Sequence, residues 1–343
     1  MRPSLSHMLW RFFTAILFLP LLFLVQCTDA PSSNPGIRLK AWMREDGAVK
    51  ILCTTEMICD VVRNVGKGYV DALTLIQGDL DPHTYELVKG DNEKFYRADI
   101  VFYNGLGLEH GPSLQTYLFG SQKSVAVGDA IEAREPELIL VTDGQIDPHI
   151  WLDVSLWAKT ITSIVTALSQ VDPSHAEEYE RAGVVYRDQL QQLHEEIFRQ
   201  MSLVSVDRRY LVTSHDAFNY FTRAYLAPKE EQVESLWRVR CQAPEGLAPE
   251  SQISITDIQF IINHLKKHDV RVLFPESNVN KNSIKKILAA SKESAFPLII
   301  SPTHLYGDAM GAPGSPGETY IKMMQHNGAV ISRYLNLNDE EQQ

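Results

Sequence analysis

The chain twice sets a histidine behind Asp-Pro and two residues ahead of a large aromatic, in DPHTYE at residues 81–86 and DPHIWLD at residues 147–153. Proline fixes its own φ and biases the preceding residue toward extended backbone, so each Asp-Pro-His is expected to be a stiff turn that aims a side chain. Neutral imidazole is the commonest transition-metal ligand, and its orientation is set when the other ring nitrogen meets a carboxylate or carbonyl. Asp81, Asp147 and Asp153 lie close in sequence to His83 and His149 and are expected to supply such partners. Taken singly, either motif reads as a common turn carrying a surface histidine. The repetition favours a metal.

Further candidates stand in the second half. YLVTSHDAF at residues 210–218 reads as a strand ending at Ser214, then His215, then a helix start. Ligands of parallel α/β sheets bind at the carboxyl ends of strands, which is where His215 falls, although a capping or packing histidine fits the same position. HLYGDAMGAPGSPGETY at residues 304–320 holds four glycines and two prolines, with Asp308 near its start. A turn aspartate is the ordinary role in such a loop.

The elements that position these residues alternate. Short apolar runs at 49–55, 71–76, 99–105 and 124–128 predict strands, with helices at 56–67, 91–97, 113–119 and 154–170. The pattern recurs with strands near 210–213, 235–239, 270–275 and 298–301 and helices near 216–226, 254–268, 279–292 and 318–335. Strand and helix in alternation imply parallel α/β sheets, and two such sets imply two similar lobes. Between them, Tyr179, Ala182, Tyr186, Leu190, Leu193, Ile197 and Met201 form one apolar stripe at helical spacing. Asp172 is a good N-cap, Pro173 suits the first helical position, and Glu177 and Glu178 favour the positive end of the dipole. A helix from Pro173 to about Leu203, roughly 45 Å long, is expected as a strut between the lobes. The expected division is a signal peptide at 1–27, an N-terminal lobe at 38–171, a connecting helix at 172–204 and a C-terminal lobe at 205–335.

Arg2 and Arg11 flank a start that runs into mostly apolar residues from Phe12 to Val25, too short for a comfortable membrane span. This reads as an export signal. Its removal takes away two arginines and no acids, so the formal charge goes from −11 to −11 − 2 = −13. An acidic chain without a basic cluster argues against nucleic acid as a partner. Exported proteins can form disulfides, and Cys53, Cys59 and Cys241 allow one bridge at most, with the pairing open. The Cys53–Cys59 gap is longer than the usual zinc spacing and no second pair accompanies it.

DPHxYE, NGLGLE at 104–109, DPHxWLD, TSHDAFxYF at 213–221, and LYxD followed by xTYxxMMxxN at 318–327 occur in this order. The combination resembles the metal-binding solute receptors of bacterial ABC importers that carry manganese, zinc or iron, and it spans almost all of the chain beyond the export signal. The resemblance implies two α/β lobes joined by one long helix, a periplasmic location, and delivery of the metal to a membrane permease driven by a cytoplasmic ATPase. It also implies the ligands: His83 and His149 from the first lobe, His215 and Asp308 from the second. Some relatives carry Glu at the third place, and Ala309 and Met310 stand where relatives usually have Ser and Leu. LVQC at 24–27 resembles a lipoprotein box that would anchor Cys27, with Gln26 departing from the usual small residue. A monomer is expected.

His304 and His110 are rival ligands ranked below these four, Glu276 in FPESNVN is expected to support a ligand from behind, and His175, His194, His264, His268 and His326 are read as surface or packing residues. Three neutral imidazoles and one carboxylate carry −1, leaving about +1 with a divalent ion, and nitrogen-rich ligation suits Zn, Cu, Fe and Ni over Mg or Ca. Residues 129–145 contain no histidine, unlike the metal-rich loop that zinc-specialised relatives often carry, which favours iron or manganese. Two other classes remain: a hydrolase using His83, His149 and His215 around zinc with Asp308 as base, and a surface adhesion lipoprotein. No H-E-x-x-H pattern supports the first.

Overall fold

The computed structural model describes residues 35–142, 144–232, 235–249 and 253–337. The expected export signal and Cys27 lie outside the described residues. Among the described residues no helix is long and apolar enough to cross a membrane.

The first lobe opens with helix α1 (Pro35–Trp42) and builds one sheet from β1 (Val49–Cys53), β2 (Val70–Thr74), β3 (Ile100–Tyr103) and β4 (Ser124–Ala126). All its pairings are parallel, in the order β2-β1-β3-β4. Helices α2 (Glu56–Gly66), α3 (Asp91–Arg97), α4 (Pro112–Gly120) and α5 (Asp129–Glu132) connect and follow these strands. β1 is buried from Lys50 to Cys53, as a parallel strand covered on both faces requires, and its one charged side chain, Lys50, is paired with Asp46 and Asp71. A short antiparallel pair, β5 (Val141–Thr142) and β6 (Gln145–Ile146), then leads to α6 (Val154–Trp157) and α7 (Thr160–Val171).

Helix α8 (Ala176–Ser202) runs for 27 residues, about 40 Å. It starts after a 3₁₀ turn at Pro173–His175, so Asp172 is not its N-cap and instead accepts hydrogen bonds from His175 Nδ1 (2.6 Å) and the Tyr179 hydroxyl (2.7 Å). The buried stripe is Tyr179, Gly183, Tyr186, Leu190, Leu193, Ile197 and Met201. Gly183 replaces the expected Ala182, because α7 crosses here so closely that a Cβ would stand 2.9 Å from Val165 Cγ2.

The second lobe contains β7 (Leu211–Val212), α9 (Asn219–Phe221) running into a π-helical turn (Thr222–Leu226), and α10 (Lys229–Gln232). β8 (Cys241–Gln242), α11 (Ile255–Lys267), β9 (Val272–Leu273), α12 (Asn282–Glu293), β10 (Ile299–Ile300) and α13 (Tyr320–Leu335) follow. The parallel pairs β7–β8 and β9–β10 abut through Phe274 N donating to Val212 O at 2.9 Å, giving the order β8-β7-β9-β10. Each lobe thus has its second strand, first strand, third strand and fourth strand side by side, with the reversal of strand order between the first and third. The strand expected near 235–239 is displaced: Leu236–Arg240 form a 3₁₀ turn entered by Ser235 at φ 57°, and pairing begins at Cys241. The single helix expected over 154–170 is split between α6 and α7, and the one expected from 216 starts at Asn219. Cys53, Cys59 and Cys241 are buried free thiols, so no disulfide joins them.

Candidate metal centre

Both Asp-Pro-His segments are turns, and both use the aspartate to fix the histidine. Asp81 Oδ1 accepts from His83 N at 2.8 Å and its other oxygen from Thr84 Oγ1 at 2.9 Å. Asp147 Oδ1 accepts from His149 N at 3.0 Å and also lies 2.7 Å from His149 Nδ1, which sets that nitrogen as the donor and leaves Nε2 as the lone-pair nitrogen that could face a metal. Asp153 does not support a ligand. It caps α6 through Ser155 N and Leu156 N, and its nearest imidazole is His194 at 3.9 Å.

His215 follows β7, and Glu276 follows β9, on either side of the point where strand order reverses in the second lobe. Glu276 Oε1 accepts from Ser214 N and His215 N at 3.0 Å each. Its Oε2 lies 2.8 Å from His215 Nδ1 but off the ring N–H direction, a close polar contact rather than an aligned bond. The equivalent point of the first lobe is tied by buried Glu109, which accepts from Thr54 Oγ1 (2.6 Å), Asn104 N (2.8 Å) and Gly105 N (3.1 Å). His110, the next residue, donates its N–H to His83 O at 3.2 Å and so docks the first turn against this loop.

His83, His149, His215 and Asp308 each offer one ligand atom, and these atoms all lie within 4.8 Å of one another. All four side chains are buried, with His149 and His215 at 0 % exposure. Asp308 stands centrally: its Oδ1 is 3.4 Å from His149 Nε2, and its Oδ2 is 3.1 Å from His215 Nε2 and 3.8 Å from His83 Nε2. Donors about 2.1 Å from a central ion stand about 3.4 Å apart in a tetrahedron, so these separations suit one first-row ion. The three Nε2 atoms and Asp308 Oδ1 have no hydrogen-bond partner among the described residues, and buried polar atoms are seldom left so. Because Asp308 turns both oxygens toward imidazoles, it can offer a metal either one oxygen or two.

His110 remains outside this cluster, its ring 5.6 Å from that of His83 and its Nδ1 3.3 Å from Gly107 O. His304 packs on Tyr306 (ring centroids 5.1 Å apart), with its carbonyl bonded to His326 Nε2. His175 stacks on Tyr69, His194 meets the Tyr225 hydroxyl, and His264 and His268 pack with Tyr210. Two contacts gave no signal in the sequence: Asn219 Nδ2 reaches Asp147 Oδ2 at 3.0 Å, and Trp151 Nε1 donates to Gly307 O at 2.8 Å.

Electrostatics divide the histidines. Burial pushes His83 down to about 3, reinforced by His149 and His215 against the pull of Asp308. Burial works against the charged form of His215 too, but the Asp308 and Glu276 carboxylates outweigh it and hold that imidazole well above its ordinary range. Burial alone would raise Asp308, yet His215, His149 and His83 keep it below the usual carboxylate range. That direction favours a protonated His215 in the metal-free protein, whereas an ion would bind the neutral ring. Binding at pH 7.5 is expected to release about one proton, so affinity rises about tenfold per pH unit up to the raised His215 value. Titration calorimetry in buffers of different ionisation enthalpy measures this, and uptake of protons would contradict it.

Gly307 is required by Glu276: a Cβ there would overlap Glu276 Oε2 and stand 3.4 Å from His215 Cε1. Gly307→Ala is expected to displace Glu276 from His215 and weaken metal binding about tenfold, with an unchanged far-ultraviolet circular dichroism spectrum. Affinity within twofold of the unmodified protein would show that Glu276 does not support the ligand.

Residues 51–334 match the family model described as ZnuA, zinc-uptake complex component A, periplasmic. The metal-binding protein YtgA of Chlamydia trachomatis serovar D is 36 % identical over 290 residues, covering 84 % of this chain and 87 % of that protein. The manganese-binding lipoprotein MntA of Bacillus subtilis is 31 % identical over 292 residues, covering 84 % and 90 %. The crystal structure of Fe(III)-bound YtgA from Chlamydia trachomatis superposes with a TM-score of 0.80 at 35 % identity, covering 84 % of this chain and 98 % of that one. With two like-ordered parallel lobes, a long joining helix and this match over most of its length, the chain belongs to the ZnuA family of metal-binding receptors.

Proposed function

We propose that this protein is an extracytoplasmic receptor that captures one divalent transition metal, iron, manganese or zinc, between its lobes and hands it to an ABC permease powered by a cytoplasmic ATPase. His83 and His149 of a lobe at 38–171 and His215 and Asp308 of a lobe at 205–335 are its ligands, with 172–204 as the joining helix. The observation that carries this reading is the convergence of four buried, unpartnered ligand atoms, two from each lobe. Relatives named for manganese and a neighbour holding Fe(III) support a transition metal as the cargo. The metal is a clasp, and removal from the site requires the lobes to part.

The fourth protein ligand proposed, Asp308, weighs against a hydrolase, whose catalytic metal keeps a position open for water or substrate. The long helix α8, packed along its length between α2, α7 and α13, resists wide hinge opening, so release is proposed to use a modest lobe movement. Export, a lipid on Cys27 and a monomeric state complete the proposal. Titration of the metal-free protein with Mn(II), Fe(II) and Zn(II) against a competing chelator tests it: one tight site per chain is expected, and no tight site would overturn it.

A further inference from the structure

Each lobe holds a ligand of the other in place. On one side, Asp147 bridges: its Oδ1 takes His149 Nδ1 at 2.7 Å within the first lobe, while its Oδ2 accepts from Asn219 Nδ2 of the second lobe at 3.0 Å. On the other side, Trp151 of the first lobe donates Nε1–H to the carbonyl of Gly307, the residue before Asp308. Tyr220, next to Asn219, donates its hydroxyl to Asp147 O at 2.9 Å, and Tyr320 donates to Trp151 O at 2.7 Å, so both junctions are buried and bonded on several sides.

The orientation of the Asn219 amide follows from its neighbours. Its nitrogen meets a carboxylate oxygen at 3.0 Å and the Asp216 carbonyl at 3.3 Å, both acceptors, so the NH₂ group must point this way. Asn219 is 4 % exposed and sits in the first turn of the helix that follows ligand His215. The same segment of the second lobe therefore carries one ligand and the anchor of another lobe's ligand.

We infer that Asn219 is a positioning residue of the metal centre, acting through Asp147 to fix His149 with Nδ1 protonated and Nε2 aimed at the ion. Closure of the lobes then does more than bring four ligands together. It places the Asn219 amide on Asp147 and so completes the orientation of His149, while parting the lobes frees that carboxylate to turn and loosens the imidazole. This rests on the receptor reading above, and predicts that metal release is faster once the amide is removed.

The test is a double-mutant cycle on the whole protein with Mn(II) as the probe, using Asn219→Ala, Asp147→Asn and the pair. Removing outer hydrogen-bond partners of metal ligands costs about 10–100-fold in affinity, and Asn219→Ala is expected near the lower end, about tenfold, chiefly through faster dissociation. In the Asp147→Asn background the same change is expected to add less than twofold, because the route through the carboxylate is already cut. Imidazole ¹⁵N spectra of the metal-free proteins give a readout that general loosening would not reproduce: His149 is expected to lose its uniform Nδ1–H form in Asn219→Ala while His83 and His215 keep their spectra. Equal losses in both backgrounds, or an unchanged His149 spectrum, would overturn the inference even when the unmodified protein binds Mn(II) well. Failure of the unmodified protein to bind would instead strike the receptor reading itself. If Asn219→Ala does not fold, Asn219→Ser, which keeps a donor in a smaller side chain, is expected to show a smaller loss than tenfold, and an equal or larger loss would count against the assignment.

Discussion

Asp308→Ala is expected to weaken the binding of Mn(II), Fe(II) and Zn(II) by about a thousandfold. The carboxylate is the one anionic group among the four proposed ligands, it is 3 % exposed, and it lies within 3.8 Å of all three imidazole Nε2 atoms. Removing one partner from a buried charge pair costs about 3–5 kcal/mol, because the charge that remains is neither solvated nor compensated. With a divalent ion as that remaining charge, about 4 kcal/mol corresponds to roughly three decades in Kd. Asp308→Asn keeps the volume and one oxygen but not the charge, and is expected to fall between the two. It should also bring His215 down, since the Asp308 charge is one of the two that raise that imidazole, and proton release on binding should shrink accordingly. Competition titration against a chelator reads all of these. A loss of less than tenfold in Asp308→Ala would exclude Asp308 as a ligand.

Metal saturation is expected to raise the thermal midpoint by about 10 °C. A ligand that binds the native state alone stabilises it by about 4 kcal/mol when its free concentration is a thousand times Kd. For chains of this size each kcal/mol moves the midpoint by roughly 2–4 °C. The proposed ligands come from both lobes, so the shift should appear as one sharpened transition of the whole molecule rather than a gain in one lobe. Differential scanning calorimetry of metal-free and Mn(II)-saturated protein checks this, with Asp308→Ala as the control that should show little shift. An upward shift of similar size in that variant would place the stabilising ion elsewhere.

Much of the first lobe was legible because its strands are short, mostly apolar runs, 49–53, 70–74 and 100–103, each followed by a helical segment. The second lobe was less so. Its paired segments are two residues long, and Trp237 and Val239 alternating with Arg238 and Arg240 imitate a strand although Ser235 turns the chain left-handed and Arg240 is drawn inward to Glu231 and Val206 O. In the long helix the stripe was read correctly except at Ala182, where the inward position belongs to Gly183, because a close helix crossing selects for the absence of a side chain and periodicity of apolar residues does not register that.

At the centre, the two Asp-Pro-His turns announced themselves by repetition, and the structure brings His83 and His149 together with His215 and Asp308. Glu276 was legible from its place at the end of a strand, beside the point of reversed strand order. The roles of the nearby acids were not separable by sequence: Asp147 holds an imidazole, Asp81 shapes only its turn, and Asp153 caps a helix. The Asn219–Asp147 and Trp151–Gly307 contacts gave no signal at all, since each joins residues more than seventy positions apart, and such contacts exist only once the lobes have met.

The central claim is that His83, His149, His215 and Asp308 together hold one metal ion, and X-ray absorption spectroscopy of the protein loaded with one equivalent of Mn(II) or Zn(II) tests it most directly. A first sphere of nitrogen and oxygen at about 2.0–2.2 Å is expected, with the outer-ring scattering of three imidazoles and no sulfur. That imidazole count should drop to two in His149→Ala. Sulfur in the first sphere, fewer than three imidazoles in the unmodified protein, or a spectrum unchanged by His149→Ala would contradict it.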